Sequence, residues 1–211
     1  MRIIAVRGEN ISSLQSYFEV DFSKEPLASA GVFAISGPTG AGKSTLLDAI
    51  CLALYQTTPR LSIAPSKDVV VPDSDSKDIN VSDPRNLLRR GAAFGWCEVD
   101  YVGVDRNQYR ARWSVKRAYN SAKGKLQSPQ VQLRSLPDKA IRADSVKEVG
   151  QEILRTVGLT YAEFTRSVLL AQNEFTSFLR ATDNERAVIL EKLTGVDVFT
   201  KIGVYVFRKT A

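Results

Sequence analysis

Apolar and polar positions recur along this chain with two different periods, and the switches between them mark out its elements. Ile3-Ile4-Ala5-Val6 predicts a short strand over Arg2–Arg7. Phe18, Val20 and Phe22, alternating with Glu19 and Asp21, predict a second over Tyr17–Phe22. Gly31 introduces Val32-Phe33-Ala34-Ile35, an unbroken run of the kind expected in a strand buried on both faces. Lys43–Tyr55 then carries Leu46, Leu47, Ile50, Cys51 and Leu54 at the spacing of a helix packed on a sheet. Period two returns from Trp96 to Arg117. It predicts a hairpin with strands Trp96–Val104 and Asn107–Arg117, turning near Asp105-Arg106. In its second strand Tyr109, Ala111, Trp113 and Val115 point one way, and Arg110, Arg112, Ser114 and Lys116 the other. A third strand is expected around Val131–Arg134, after a loop over Asn120–Ser128 rich in Ser, Gly and Lys.

The last third reads as helical. Val146, Val149, Ile153 and Val157 share one face of a helix over Ser145–Val157, stopped by Gly158. Thr160 with Glu163, and Thr182 with Glu185, have the spacing of capping boxes that open two further helices. Between them Val168-Leu169-Leu170-Ala171-Gln172 predicts a short buried strand that ends in a glutamine. Gly195 ends the helix from Asn184, and the residues after it start another amphipathic stretch. Ser62 to about Asn86 breaks the pattern. Prolines, Asp, Ser and Lys surround the single apolar patch Val69-Val70-Val71, as in a mobile surface insertion.

Composition narrows the class. The 211 residues are 44% apolar and 25% charged, which suits a globular domain with a real core. No apolar run approaches the roughly 18 residues a membrane helix needs. Arg7 cuts the first apolar run too short for a signal peptide, so a cytoplasmic protein without a membrane partner is expected. Cys51 and Cys97 each sit in an apolar segment and read as reduced core residues. The chain has no histidine, which removes His-based acid–base chemistry and most zinc or manganese hydrolase sites. A nuclease working with it would be another polypeptide. A net charge of +6 is compatible with a nucleic-acid partner without establishing one.

Chemistry concentrates in Gly37-Pro38-Thr39-Gly40-Ala41-Gly42-Lys43-Ser44, a full P-loop at a strand-to-helix junction. Small residues let consecutive backbone N–H groups curl around a phosphate, and the helix behind them adds its positive end. Lys43 supplies a compact charge for the β- and γ-phosphates of ATP. Ser44 is the expected Mg2+ ligand, and Thr45 can reach an inner phosphate. No Asn-Lys-x-Asp follows for guanine recognition, and Asp100-Tyr101-Val102-Gly103 imitates a GTPase motif only inside the hairpin. A self-contained ATPase also needs an apolar strand ending in a carboxylate. Here the candidate strand, Val168–Ala171, ends in Gln172, and no Ser-Gly-Gly signature is present. The site reads as incomplete.

The chain resembles the SbcC family, bacterial DNA double-strand-break-repair ATPases of the SMC-like branch of the ABC superfamily. The resemblance lies in Arg2–Asp21, in the P-loop and its continuation through Tyr55, and in Thr57-Pro59-Arg60-Leu61. It continues in Phe164–Gln172 and in Glu185-Arg186 before Leu193-Thr194-Gly195. It is weakest over residues 62–82 and 120–144. The resemblance implies an α/β fold, the N-terminal lobe of an ABC-type P-loop ATPase with an antiparallel hairpin layer. Residues 1–195 would form the lobe and 196–211 the root of a coiled coil. The C-terminal lobe would bring the acidic strand and the signature motif, and two heads would sandwich two ATP molecules. Gln172 would be the Q-loop residue that touches magnesium or the attacking water; its alternative is an ordinary polar strand end. Asn10, Ser12 and Ser13 would approach the base or ribose, or form a plain connection. The resemblance also implies an SbcD-like nuclease partner, double-stranded DNA and association with the nucleoid.

For DNA the best local candidate is the basic face Arg110, Arg112, Lys116 and Arg117, with Lys123 and Lys125 in the next loop. A solvated outer face of an antiparallel hairpin would have the same pattern. Arg85, Arg89 and Arg90 form a second, equally ambiguous cluster. Two other functions stay open from sequence: a self-sufficient small P-loop kinase or ATPase, and a DNA-binding scaffold that holds nucleotide structurally.

Overall fold

Strand alternation in the N-terminal half produces a sheet with one apolar and one charged face. The computed structural model describes residues 1–30, 34–62, 69–73, 78–136, 138–167 and 182. The chain divides into two units, Met1–Gly158 and Leu159–Ala211. The elements of the first are β1 (Arg2–Glu9), β2 (Phe18–Asp21), α1 (Lys43–Tyr55), α2 (Pro59–Ser62), β3 (Val70–Val71), β4 (Ile79–Asn80), β5 (Phe94–Val102), β6 (Gln108–Lys116), β7 (Gln130–Ser135), β8 (Ile141–Ala143) and α3 (Val146–Val157). Six strands form an antiparallel sheet in the order β2-β1-β5-β6-β7-β8, while β3 and β4 pair separately. The second unit contributes α4 (Tyr161–Ser167), where Thr160 and Glu163 exchange the expected capping-box contacts. The expected strand at Val168–Ala171, Gln172, the Thr182–Glu185 cap, the helix from Asn184 and the stretch after Gly195 lie outside the described residues.

One sheet face carries the core. Val6, Val99, Tyr101, Ala111, Trp113 and Leu133 are buried there beneath α1, which packs on β5 and β6, and α3, which packs on β7 and β8. Each large side chain buried this way contributes about 1.5–3 kcal/mol. Because α1 has the sheet on one side and α3 on another, all of Ala49–Leu54 is buried, a wider band than the expected stripe. Gly158 stops α3 in the left-handed region as the sequence predicts, and Ser145, expected as the first helical residue, is instead its N-cap, its Oγ accepting from Glu148 N–H at 3.3 Å. Its buried face differs at one end. Val146 in the first turn is 57% exposed, and Thr156 is buried instead, its hydroxyl 2.8 Å from the Tyr101 hydroxyl. Cys51 and Cys97 are free and buried, and burial pushes both thiols well above their usual range.

The other face carries a ladder of charges. Antiparallel register sets Glu19 opposite Arg7, Arg7 opposite Glu98, and Glu98 opposite Arg112, with Asp100 opposite Arg110 in the next row. Arg110 clamps Asp100 through two hydrogen bonds of 2.6 and 2.8 Å, and Arg7 adds a third at 2.7 Å. Arg112 reaches Glu98 at 2.9 Å and stacks 4.3 Å above the Trp96 ring. Glu98 and Asp100 are buried although they face away from the core, each held by more than one arginine.

The apolar run before the P-loop departs from expectation. Ala34 and Ile35 form no strand and are exposed, Ile35 by 39%, while residues 31–33 lie outside the described residues. A strand needs a neighbour for its N–H and C=O groups, and no described strand lies alongside this segment. The insertion proves partly structured, since Val70–Val71 pairs with Ile79–Asn80. The pairing was not legible because each strand is only two residues long.

Burial alone would raise the Asp100 carboxyl, but the hydrogen bonds from Arg110 and Arg7 outweigh it and hold it below the usual carboxylate range. Its folded pKa thus lies below its unfolded value of about 4. The ladder contributes stability above that value and loses it as pH falls through the folded pKa. The melting temperature is expected to drop between about pH 5 and pH 2. Asp100→Asn should lose about 1–3 kcal/mol at neutral pH and flatten the acid dependence, as followed by circular dichroism.

Candidate nucleotide site

The glycines of the P-loop sit where other residues would not. Gly40 and Gly42 have φ of 86° and 90°, in the left-handed region. A Cβ on Gly42 would also come within 2.8 Å of Leu14 Cδ2, so this position combines an unusual backbone with a close approach. Ala41 N–H donates to Pro38 O at 3.2 Å, which curls the loop back on itself ahead of α1. The first turn of α1 leaves its N–H groups unmatched within the helix, and residues 37–41 are exposed to whatever approaches.

Lys43 folds over this cradle. Its Nζ donates to the carbonyl oxygens of Gly37 and Pro38, each at 2.7 Å, which holds the ammonium at the loop mouth. Ser44 is exposed on the open side, while Thr45 is buried with its hydroxyl 2.7 Å from that of Ser13. The residues fit a phosphate chain with a hard cation: glycine-lined backbone, a poised ammonium and a solvent-facing hydroxyl at the helix start.

The Ser13 contact draws in a second loop. Asn10 and Ser12 adopt left-handed φ of 55° and 46°, and buried Ile11 bridges Leu14 and Leu88. Two arginines from later in the chain grip this turn. Arg60, just after α1, donates to Ser12 Oγ at 3.0 Å and forms an ion pair of 2.8 Å with Asp48 of α1. Arg89 donates to the carbonyls of Ser12 and Ser13 at 3.4 and 3.1 Å and to Gln15 at 3.3 Å. Burial raises the Asp48 carboxyl, with Arg60 and Thr58 opposing the shift. Asp48, and the tethering roles of Arg60 and Arg89, were missed from sequence. The available signal was a carboxylate on an otherwise apolar stretch of helix, which requires a cation nearby.

Behind the same turn opens a cavity of about 480 Å3 that includes Ser12, Arg60, Arg85 and Arg117 in its lining. It is not a bare cationic pocket, since Arg60, Arg85 and Arg117 pair with Asp48, Asp83 and Asp73.

The expected basic face is reorganised. Arg110, Arg112 and Lys116 do share the outer face of β6, but the two arginines are bound to Asp100 and Glu98. Arg117 leaves the group: alternation turns it to the opposite side, where it is buried and held by Asp73 at 2.7 and 3.0 Å. Tyr109 and Trp113, on the opposite face, are in the core. The structure therefore brings Asn10–Ser13 to the P-loop, leaves the sheet arginines apart from it, and does not describe Gln172.

Comparison with known proteins agrees with this geometry. A sequence model of a family described as "AAA domain" matches residues 5–197. The SbcC subunit of the nuclease SbcCD from Pseudomonas aeruginosa is 47% identical over the whole chain, and that from Rhodobacter capsulatus 46%. A "DNA double-strand break repair Rad50 ATPase" of Methanopyrus kandleri is 27% identical over 93% of the chain. The chain spans 17% of the length of each of the two SbcCD relatives. With a P-loop set in a mixed α/β lobe of the kind found in SMC-like ABC ATPases, the chain belongs to the AAA domain family.

Proposed function

We propose that the chain is the ATP-binding N-terminal lobe of a split head that, closed on ATP, controls DNA end processing by an SbcD-like nuclease. The observation that carries this reading is the contrast at the P-loop. The phosphate cradle is fully formed, yet the apolar segment Ala34–Ile35 leading into it is exposed and lies in no strand. Backbone groups that join no sheet among the described residues leave room for a further strand beside the phosphate site. A C-terminal lobe carrying the acidic strand would supply a strand of that kind and the carboxylate this chain is not expected to provide. Residues 1–195 are read as the lobe and 196–211 as the root of a coiled coil. The relatives' names supply the DNA, the repair role and the nuclease; nucleoid association would follow from them.

In this reading the amides of Gly40–Ser44 would hold the β-phosphate, and Lys43, now on the Gly37 and Pro38 carbonyls, would supply its charge to the γ-phosphate. Ser44 would hold Mg2+, which neutralises charge on the β- and γ-oxygens. Thr45, oriented by Ser13, would bond an inner phosphate, and Asn10, Ser12 and Ser13 would border the base or ribose. Gln172 would orient the attacking water beside the metal, and a carboxylate of the C-terminal lobe would take its proton. Two such heads would sandwich two ATP molecules.

Lys43→Ala is expected to weaken ATP binding by roughly two orders of magnitude, measured by fluorescent-nucleotide titration. The unsubstituted chain should bind ATP without turnover and gain turnover when the C-terminal lobe is added. Robust hydrolysis by these residues alone would overturn the split-head reading. Arg60→Ala should cost about 1–3 kcal/mol of stability, because it unties Ser12 and leaves the Asp48 carboxylate without its cation. It should also raise the Kd for ATP several-fold, whereas Arg60→Lys should recover the ion pair better than the hydrogen bond to Ser12.

A further inference from the structure

The DNA reading leaves open which part of the lobe meets unpaired bases. The sheet arginines are committed to carboxylates, so uncommitted charge must be sought elsewhere. It lies where the ribbon of β6 and β7 runs past the sheet. Arg117 is bridged to Leu126, Ala118 N–H donates to Lys125 O at 2.9 Å, and Gln127 N–H donates to Lys116 O at 3.0 Å. Alternation about the Arg117–Leu126 pair turns those two side chains inward, where both are buried. It puts Lys116 and Lys125 on the outer face, both exposed. Neither of them, nor exposed Lys123 at the tip, forms an ion pair among the described residues.

The tip is pinned by its own bonds. Asn120 N–H reaches Arg117 O, Ser121 N–H reaches Ala118 O, and Gly124 N–H reaches Ser121 O at 3.3, 3.2 and 2.8 Å. The Arg117 guanidinium, anchored on Asp73, donates to Gly124 O at 3.1 Å. Gly124 passes so close that a Cβ there would lie 2.1 Å from Ala118 O. In this frame Tyr119 and Asn120 have φ of 58° and 50°; asparagine takes up this conformation readily, but a tyrosine does so when its surroundings impose it. The result is a Tyr119 side chain that is 99% exposed, whereas Tyr101, Tyr109 and Trp113 are buried. A groove of about 220 Å3 that includes Lys116 lies over the strands, lined in part by Phe94, Trp96, Arg112 and Gln130.

A wholly exposed aromatic on a backbone-pinned tip, beside lysines that form no ion pair among the described residues, combines a stacking surface with phosphate contacts. The interior of a duplex hides its base faces, so the matching ligand is DNA with unpaired bases, at a frayed end or in a single-stranded tail. We propose that Tyr119 is a stacking platform for unpaired DNA bases, with Lys116, Lys123 and Lys125 contacting the adjoining phosphates. This rests on the DNA-processing reading above.

The test uses full-length protein and three DNAs: a duplex closed by hairpins at both ends, a forked duplex with unpaired tails, and a single strand. Binding is followed by anisotropy, and stacking by quenching of 2-aminopurine in the tail. Tyr119→Ala should weaken binding to the fork and the single strand by about 5- to 100-fold and abolish the quenching. Affinity for the closed duplex should stay within about twofold, and Tyr119→Phe should behave as the parent. Joint replacement of Lys116, Lys123 and Lys125 by Gln should weaken all three complexes and reduce the salt slope by roughly 0.7–0.9 per lysine. Unchanged fork binding by Tyr119→Ala, while the parent protein binds DNA, would overturn the platform and leave the DNA reading intact. Loss of nuclease association with DNA binding unaffected would reassign the tip to a protein contact and overturn it equally. Failure of the parent protein to bind any of the three DNAs would remove both readings together.

Discussion

Helix α1 has to satisfy opposite demands at its two ends, and the rest of the lobe is arranged around that requirement. Its first turn must keep backbone N–H groups open to a phosphate, so it cannot be covered by protein. Its later turns, Ala49–Leu54, are buried throughout. That burial, against β5, β6 and α3, is what lets an exposed and glycine-rich loop hold a defined shape. Asp48 marks the changeover. It lies on the buried part of the helix, and its charge is met by Arg60, which also holds Ser12 beside the P-loop. The packing of the helix and the placement of the neighbouring turn therefore share one side chain.

The sheet solves a related problem on its outer face. Burying carboxylates costs more than a single ion pair returns unless their remaining lone pairs are met. Asp100 meets this condition with three hydrogen bonds from two arginines, and Glu98 sits between Arg7, Arg110 and Arg112. The rows hold because antiparallel register sets opposite charges face to face across β1, β5 and β6.

Much of this was legible in the sequence where periodicity is strong. The boundaries of α1, the Gly158 stop of α3 and the inward set Tyr109, Ala111, Trp113 and Val115 follow from spacing alone. The P-loop was legible because its backbone needs glycine at fixed positions. Other features depend on which strands become neighbours, and one-dimensional patterns do not contain that. Period two correctly put Arg110 and Arg112 on one face, but only the β5–β6 register reveals that Asp100 and Glu98 stand opposite them. An apolar run such as Val32–Ile35 predicts burial without saying what buries it, and Ala34 and Ile35 are exposed among the described residues. The edge strand β8 escaped because three residues, Ile141–Ala143, are too few to display a period. The tether formed by Arg60 and Arg89 joins segments more than forty-five residues from Ser12 along the chain.

The distribution of arginine and lysine over the outer face follows from the same physics. Arginine, with a planar fork of donors and a weakly hydrated charge, suits positions where a carboxylate must be clamped at low solvent access. Arg7, Arg110 and Arg112 occupy such positions along the middle of the sheet. Lysine is more strongly hydrated and gains less from burial, so it fits the water-exposed end of the ribbon at Lys116, Lys123 and Lys125. Among the described residues their charge meets no carboxylate, whereas removing an arginine from the ladder to serve an external phosphate would strand a buried carboxylate. A surface that reads as uniformly basic in sequence divides into a structural half and a free half, and the free half is the one beside the exposed ring of Tyr119.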